Sequence, residues 1–344
     1  MEPEIHNFIC IWISAIASSC YCYFIPKHIP SGGARLLSLF PVILLFIALP
    51  SRLTVFHLAA PTIFYLVWLA NFKLLLFAFD HGPLSGHHPP LPLLHFVVIS
   101  LLPIKLSQVN DSSSQSDSDP RNPSFLFAVK ALLLPLIVWL YKFRQYFNQN
   151  VVLVIYCCHI YLGVELVLFI TAAPIRSLLG LELEPQFKEP YLATSLQDFW
   201  GRRWNLMVPK ILRPTVYFPV RSVSAKILGK EWANPAAIVA SFLVSGLMHE
   251  LIYYYLSRAR PTWEVTWFFL LHGVCVAAEV IVKKKVLVGG WRLNRAFSGP
   301  LTLGFVAVTG SMLFFPQILR NGLDVKIIDE SNMLARFVGD HLRV

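Results

Sequence analysis

The sequence predicts an all-α fold: a polytopic membrane helix bundle with about 8–9 transmembrane helices plus interfacial or re-entrant ones. Three observations predict it. First, 56% of the 344 residues are hydrophobic and only 14% charged, and the mean hydropathy is +0.60. Soluble domains carry about 25% charged residues, so this chain lacks the polar surface that water demands. Second, the apolar runs are long and continuous rather than alternating, which selects helices over a barrel as the way to satisfy the backbone in lipid. Third, the polar residues collect between the runs, where a chain leaving the bilayer needs them.

Taken in order, candidate spans lie near 8–25, 36–50, 55–79, 91–106, 125–141, 151–172, 235–256, 263–282 and 300–319. The segments at 36–50 and 91–106 are short and contain prolines, which leaves the count at eight or nine. The start, Met1-Glu2-Pro3-Glu4, is acidic. A secretory signal wants a positive n-region, so the first run is expected as a retained span. We see no internal repeat, and residues 1–344 read as one integral membrane domain. The stretch 107–124 is rich in Ser and Asp and is expected to be a flexible polar loop.

The stretch 174–234 differs. It mixes Lys188, Arg202, Arg203, Lys210, Arg213, Arg221, Lys226 and Lys230 with Trp200, Trp204, Tyr217 and Trp232. That mixture suits a headgroup region, and we read it as interfacial helices on the cytoplasmic side. The next two spans then return the chain to Lys283-Lys284-Lys285 on that same basic side. The loop at 80–90 has no Lys or Arg and falls opposite, whereas Lys27, Arg35, Lys142 and Arg144 run against the positive-inside pattern in a nine-span count. The net charge of +10 fits cytoplasmic anchoring, with a share available for an anionic ligand or headgroup. No basic helix or RNA-binding motif accompanies it, so nucleic acid is not an expected partner. The six cysteines all lie in apolar runs and form no CxxC pair, so neither a zinc site nor a disulfide framework is indicated.

Ionisable groups at membrane depth are costly, and they usually face a cavity or a partner. Here they are His159, Glu165, His249, Glu250, His272 and Glu279, with Asn71 and Lys73 in the third span. His249 stands out, with apolar sequence on both sides and Ser245 and Gly246 one turn before it. Those small residues leave room for a substrate or a close helix neighbour. Glu250, adjacent on a helix, points elsewhere and is not expected to orient His249. His272 and Glu279 are two turns apart on one face. They read either as a polar pair fixing helix packing or as direct participants, and His159 with Glu165 offers a poorer version of the same arrangement.

A second informative stretch is Ser195-Leu196-Gln197-Asp198-Phe199-Trp200-Gly201-Arg202-Arg203-Trp204-Asn205-Leu206-Met207. As one helix it would carry Trp200, Trp204 and Met207 on an apolar stripe, and Asp198, Arg202 and Asn205 on a polar one. An ordinary interfacial helix and a phosphate-binding one fit this spacing equally. The chain has no GxSxG elbow, P-loop, HExxH or strand-linked GxGxxG. That disfavours the usual serine hydrolases, ATPases, metalloproteases and dinucleotide enzymes.

Asp198-Phe199-Trp200-Gly201-Arg202-Arg203-Trp204-Asn205, followed some forty residues later by Ser245-Gly246-Leu247-Met248-His249-Glu250, resembles the membrane-bound O-acyltransferase superfamily, and within it the plant wax synthase branch. Phe79, Glu189-Pro190-Tyr191-Leu192-Ala193-Thr194 and Arg258-Ala259-Arg260-Pro261-Thr262-Trp263-Glu264-Val265 resemble that branch too, so the likeness runs along nearly the whole chain. The resemblance implies a helix bundle around a deep catalytic chamber in the endoplasmic reticulum membrane. Fatty acyl-CoA would enter it as a substrate from the cytosol, and a lipid alcohol from the bilayer, with no separate cofactor and no metal. The family's histidine falls on His249 and its asparagine on Asn205, with the pair Arg202-Arg203 standing before Asn205 as a departure from the wider pattern. The branch makes wax esters, and close relatives acylate sterols.

On that basis His249 is expected to act as general base, and Asn205 to position the acyl carbonyl or hold His249. Trp200, Trp204, Asp198, Arg202 and Arg203 are expected to bind acyl-CoA. Glu250, His272 and Glu279 form a second tier of polar residues. A competing expectation is a lipid or solute transporter, since buried His and Glu also suit proton coupling, although transporters often show repeated halves.

Overall fold

The computed structural model describes residues 2–25, 28–86, 90–104, 123–179, 186–285 and 294–341. Among them every regular element is helical. The principal helices are α1 (Glu2–Phe24), α2 (Gly33–Arg52), α3 (Phe56–Ala78), α4 (Leu93–Leu101), α5 (Pro123–Leu140), α6 (Gln149–Leu179), α7 (Phe218–Ile227), α8 (Lys230–Ser257), α9 (Glu264–Lys285), α10 (Arg295–Arg320) and α11 (Leu323–His341). Seven of these, namely α1, α2, α3, α6, α8, α9 and α10, are long and apolar enough to cross a membrane. The short α4 and the Pro-containing α5 occupy the two remaining expected span positions. Except for its last two residues, the predicted polar loop at 107–124 lies outside the described residues.

The chain divides into two compact units. One comprises residues 1–103 with 185–321, the other 104–184 with 322–344. In the first, α3 is the central helix, with every residue from Tyr65 to Asn71 buried. A helix apolar all round packs on all sides, and this run has that composition. Lys73, one turn on, is fully buried and donates to the carbonyls of Ile99 (2.7 Å) and Leu102 (2.6 Å). Those are carbonyls at the end of α4 that no helical amide reaches, so the ammonium caps the helix from a neighbour.

Arg35 explains its own exception to the charge pattern. Its side chain is buried and donates to Ile29 O (3.3 Å), Phe77 O (3.2 Å) and the Asp80 carboxylate (2.5 Å). It joins the α1–α2 connection to the end of α3, so its place follows from partners inside the protein rather than from the positive-inside rule. The guanidinium beside Asp80 holds that carboxyl below the usual carboxylate range.

In the second unit the ionisable residues of α6 find separate partners. Glu165 pairs with Lys130 of α5 at 2.7 Å, and His159 Nδ1 meets the Tyr141 hydroxyl at 2.9 Å. Tyr156 donates to Asp324 of α11 at 2.9 Å. His159 and Glu165 therefore fix packing through different neighbours and not as a pair.

The reading of 195–207 as one continuous helix is corrected. Residues Leu196–Asp198 start a turn that widens to a π-helix at Phe199–Arg203 and then stops. Trp204 is extended, and Asn205 takes a positive φ of 39°. Asparagine tolerates the left-handed region better than most residues. The break is pinned by Leu206 N donating to Gln186 O at 2.8 Å and Lys188 N to Arg203 O at 2.9 Å. Trp204 is thereby turned away from the helical stripe with Trp200, and its ring stacks on Phe199 at 5.5 Å.

Candidate active site

The first unit contains a cavity of about 540 Å³, a size typical of ligand sites. Its walls come from α3, the 197–217 segment, α7, α8 and α9. Trp68, Phe242 and Phe269 make one apolar face, while Asn205, Arg213, Arg221 and Asn234 supply polar groups. Arg213 and Arg221 are exposed, so their end of the cavity reaches the surface.

His249 lies on the wall. Its Nδ1 is 2.8 Å from the Ser245 carbonyl. A carbonyl only accepts, so Nδ1 carries the hydrogen and Nε2 is left with its lone pair and no protein partner among the described residues. The ring is held in place from both sides. Phe269 stacks on it at 4.2 Å, and Trp68 meets it edge to face at 5.3 Å. Gly246 permits this packing: a Cβ there would come 2.9 Å from Thr266 Cα, so only glycine lets α8 and α9 approach this closely. Gly273 does the same against Phe242, at 2.7 Å. Glu250, as expected, serves elsewhere. It is buried and accepts from the Thr266 amide at 3.3 Å, meeting an unpaired amide in the first turn of α9.

His272 and Glu279 share a face of α9, as their spacing predicts, yet do not bond to one another. Both grip the 195–204 segment. Trp200 Nε1 donates to His272 Nδ1 at 3.0 Å, and His272 Nε2 meets Thr309 Oγ1 at 2.9 Å. The Thr309 hydroxyl itself lies 2.7 Å from Phe305 O, to which it donates, so His272 Nε2 must be the donor to Thr309. Both imidazole nitrogens are engaged. Glu279 accepts from Gln197 N at 3.1 Å and pairs with Lys283, which also reaches Ser195 Oγ and Gln197 Oε1.

Of the other predicted catalytic and substrate-binding residues, Asn205, Trp200 and Trp204 line the cavity beside His249. Asp198, Arg202 and Arg203 do not. Arg203 braces the loop instead, donating to Asp198 at 2.7 Å and to the carbonyls of Lys188 (3.3 Å) and Glu189 (3.2 Å). Arg202 is exposed. The cavity arginines are Arg213 and Arg221, whose basic segment was legible but whose orientation depends on a π-helix at Arg213–Tyr217 that no spacing rule foretells.

Four π-helical segments are present among the described residues: Phe64–Ala70, Phe199–Arg203, Arg213–Tyr217 and Gly310–Phe314. The first three each put side chains on the cavity wall, and Phe314 from the fourth packs 6.0 Å from the His249 ring. Such segments are rare and concentrate at functional sites, where one extra residue per turn re-aims a side chain.

Residues 183–271 match the Membrane bound O-acyl transferase family. That range holds the 195–205 loop, His249 and Phe269 together. The chain is 55% identical to the long-chain-alcohol O-fatty-acyltransferase of Simmondsia chinensis, over 98% of this chain and 96% of the relative.

The chain belongs to the membrane-bound O-acyltransferase family.

Two further relatives, both from Arabidopsis thaliana, cover 96% of each chain. One, a probable long-chain-alcohol O-fatty-acyltransferase 1, is 48% identical; the other, an acyl-CoA–sterol O-acyltransferase 1, is 45% identical.

Proposed function

We propose that this protein forms wax esters, transferring a fatty acyl group from acyl-CoA to a long-chain fatty alcohol. The observation that carries the reading is His249. It is an imidazole with Nδ1 committed to a carbonyl and Nε2 free, in an aromatic-walled cavity, within a chain so similar to a long-chain-alcohol acyltransferase. Nε2 takes the alcohol proton as the oxygen attacks the thioester carbon. The carbon–sulfur bond breaks, CoA leaves as a thiolate, and the proton on Nε2 passes to it. General-base help of this kind contributes about 10²–10⁴-fold. Asn205, held at the cavity by its left-handed turn, orients the acyl carbonyl. The exposed Arg213 and Arg221 lie where CoA phosphates would sit at the surface end, with the acyl chain running inward along Trp200, Trp204 and Phe242. Enclosure by aromatic walls keeps water from hydrolysing the thioester.

The reading includes one acyltransferase domain of eight or nine spans that contains this chamber. Its 174–234 segment lies on the cytosolic face of the endoplasmic reticulum membrane, where acyl-CoA and membrane-dissolved alcohol meet. Membranes from cells expressing the protein, given labelled acyl-CoA with hexadecanol, should yield labelled wax ester, and His249→Ala should abolish it. A sterol acceptor is the second reading, favoured by the 45% identity to the sterol acyltransferase. Labelled steryl ester in place of wax ester would select it. No ester with either acceptor, from folded protein, would return the transporter reading.

A further inference from the structure

Five residues other than glycine take a positive φ among the described residues. Two of them, Glu189 (44°) and Asn205 (39°), lie in segments that are hydrogen-bonded to one another. A side chain makes this conformation costly, so it persists only where the surroundings over-determine it. The ties that do so can be named. Lys188 N donates to Arg203 O at 2.9 Å and Leu206 N to Gln186 O at 2.8 Å, so Trp204 and Asn205 form a two-residue arch between backbone anchors. The Trp204 ring is enclosed by Phe199, stacked at 5.5 Å, and by Phe187, edge to face at 5.2 Å. The last tie is a single side chain. Arg203 Nε donates to Asp198 Oδ2 at 2.7 Å, while Nη1 donates to Lys188 O (3.3 Å) and to Glu189 O (3.2 Å), the carbonyl of the other left-handed residue. Asp198 accepts in turn from the Thr194 amide at 3.3 Å.

The arch is the part of this loop that meets the cavity. Trp204 and Asn205 line it together with His249, whereas Arg203, Asp198 and Glu189 do not. A guanidinium outside the cavity that grips both ends of the loop can reach the chemistry only through the arch. We propose that Arg203 is a positioning residue for acyl transfer, whose fork holds the strained turn that sets Trp204 and Asn205 in the cavity wall. The inference rests on the acyl-transfer reading of this cavity. Arginine suits the task because its planar fork reaches a carboxylate and two carbonyls at once, where a lysine offers a point charge on a flexible stem. Without the fork, the two left-handed residues relax toward the ordinary regions of φ, and the arch moves with them. Misplacing groups that orient a substrate by about 1 Å can cost about 10²-fold in rate, even when the change lies away from the reacting atoms.

Arg203→Ala should lower kcat, taken per folded molecule in detergent, roughly 10²-fold. Arg203→Lys keeps a charge opposite Asp198 and should lower it about tenfold. KM for acyl-CoA should stay within about threefold in both, because Arg213 and Arg221 at the surface end are untouched. Glycine takes a positive φ freely, so Glu189→Gly removes one of the two costs that the fork works against. Added to Arg203→Lys, it should raise kcat about threefold. Should Arg203→Ala fail to fold, the two lysine variants carry the test. An Arg203→Lys kcat within about twofold of the wild type, a kcat and KM that worsen together, or a glycine that recovers nothing would each overturn the assignment. Ester formation by the wild type is measured in the same assay, so failure of the acyl-transfer reading would be seen separately.

Discussion

His249 on α8 and His272 on α9 occupy closely similar surroundings and do different things. Each ring lies against a phenylalanine of α9, at 4.2 Å from Phe269 and 4.3 Å from Phe268 respectively, and each meets a tryptophan edge to face. Both sit in apolar spans. The difference is in their nitrogens. His272 accepts from Trp200 and donates to Thr309, which leaves it nothing to offer a substrate. His249 spends one nitrogen on Ser245 and keeps the other facing a cavity. A buried imidazole with both nitrogens engaged is a joint between helices, and one with a nitrogen left over is free to be the reagent of the proposed transfer.

That distinction breaks most visibly at His249. His249→Gln retains a side chain able to hydrogen-bond but has no basic nitrogen. Esterification should fall by about 10²–10⁴-fold, with the melting temperature in detergent little changed. A variant retaining more than a tenth of wild-type kcat would mean that the proton goes elsewhere.

Gly246→Ala comes next and tests what holds the reagent in place. The new Cβ meets Thr266 backbone at 2.9 Å, where no flexible side chain can yield. Forcing α8 and α9 apart should cost about 1–3 kcal/mol. It should also loosen the Phe269 stack on His249, so that kcat falls together with stability. A melting temperature equal to that of the wild type would show that the helices have room the structure denies them.

His272 should respond as a joint. His272→Phe strands the Trp200 N–H and should destabilise by about 1–2 kcal/mol. Activity should fall by less than for either change above. Adding Trp200→Phe removes the stranded donor and should return part of the stability, because deleting both partners of a buried hydrogen bond is gentler than deleting one. Additive losses in the double variant would count against the bond.

Much of this was legible in the sequence, and the parts that were not have a physical reason. Helical spans and the depth of His249 follow from apolar runs, which report the solvent directly. Asn205 and His249 could be paired because two motifs stand in order in the chain. The partners of His272 and Glu279 were not legible. Spacing puts both on one face of α9, but cannot tell that the face receives a loop from seventy to eighty residues earlier. That Arg202 and Arg203 lie off the cavity wall was not legible for a related reason. A helix drawn through 195–207 places Arg202 in line with Asn205, and the π-turn followed by the left-handed Asn205 breaks that line. Arg213 and Arg221 reach the cavity through another π-turn. Sequence periodicity assumes 3.6 residues per turn, so it errs at the segments where an extra residue re-aims a side chain, and here those segments surround the site.

The smallest effect is expected at Arg35, a buried polar group saturated several times over. Its guanidinium has carbonyl partners at Ile29 and Phe77 besides Asp80. The Asp80 side chain is 56% exposed, so solvent screens the pair. Because Arg35 lowers the Asp80 pKa, the contribution is present above the ordinary aspartate value of about 4 and is lost as pH falls through the lowered one. Asp80→Asn should therefore cost less than about 1 kcal/mol at pH 7. It should also remove the part of the acid sensitivity that the wild type shows below about pH 4. Melting curves of both proteins from pH 7 to pH 3 measure this: the gap between them should narrow as the pH drops. A gap that stays constant would mean that Arg35 is held by the two carbonyls alone, the extreme form of the saturation that separates a joint from a reagent.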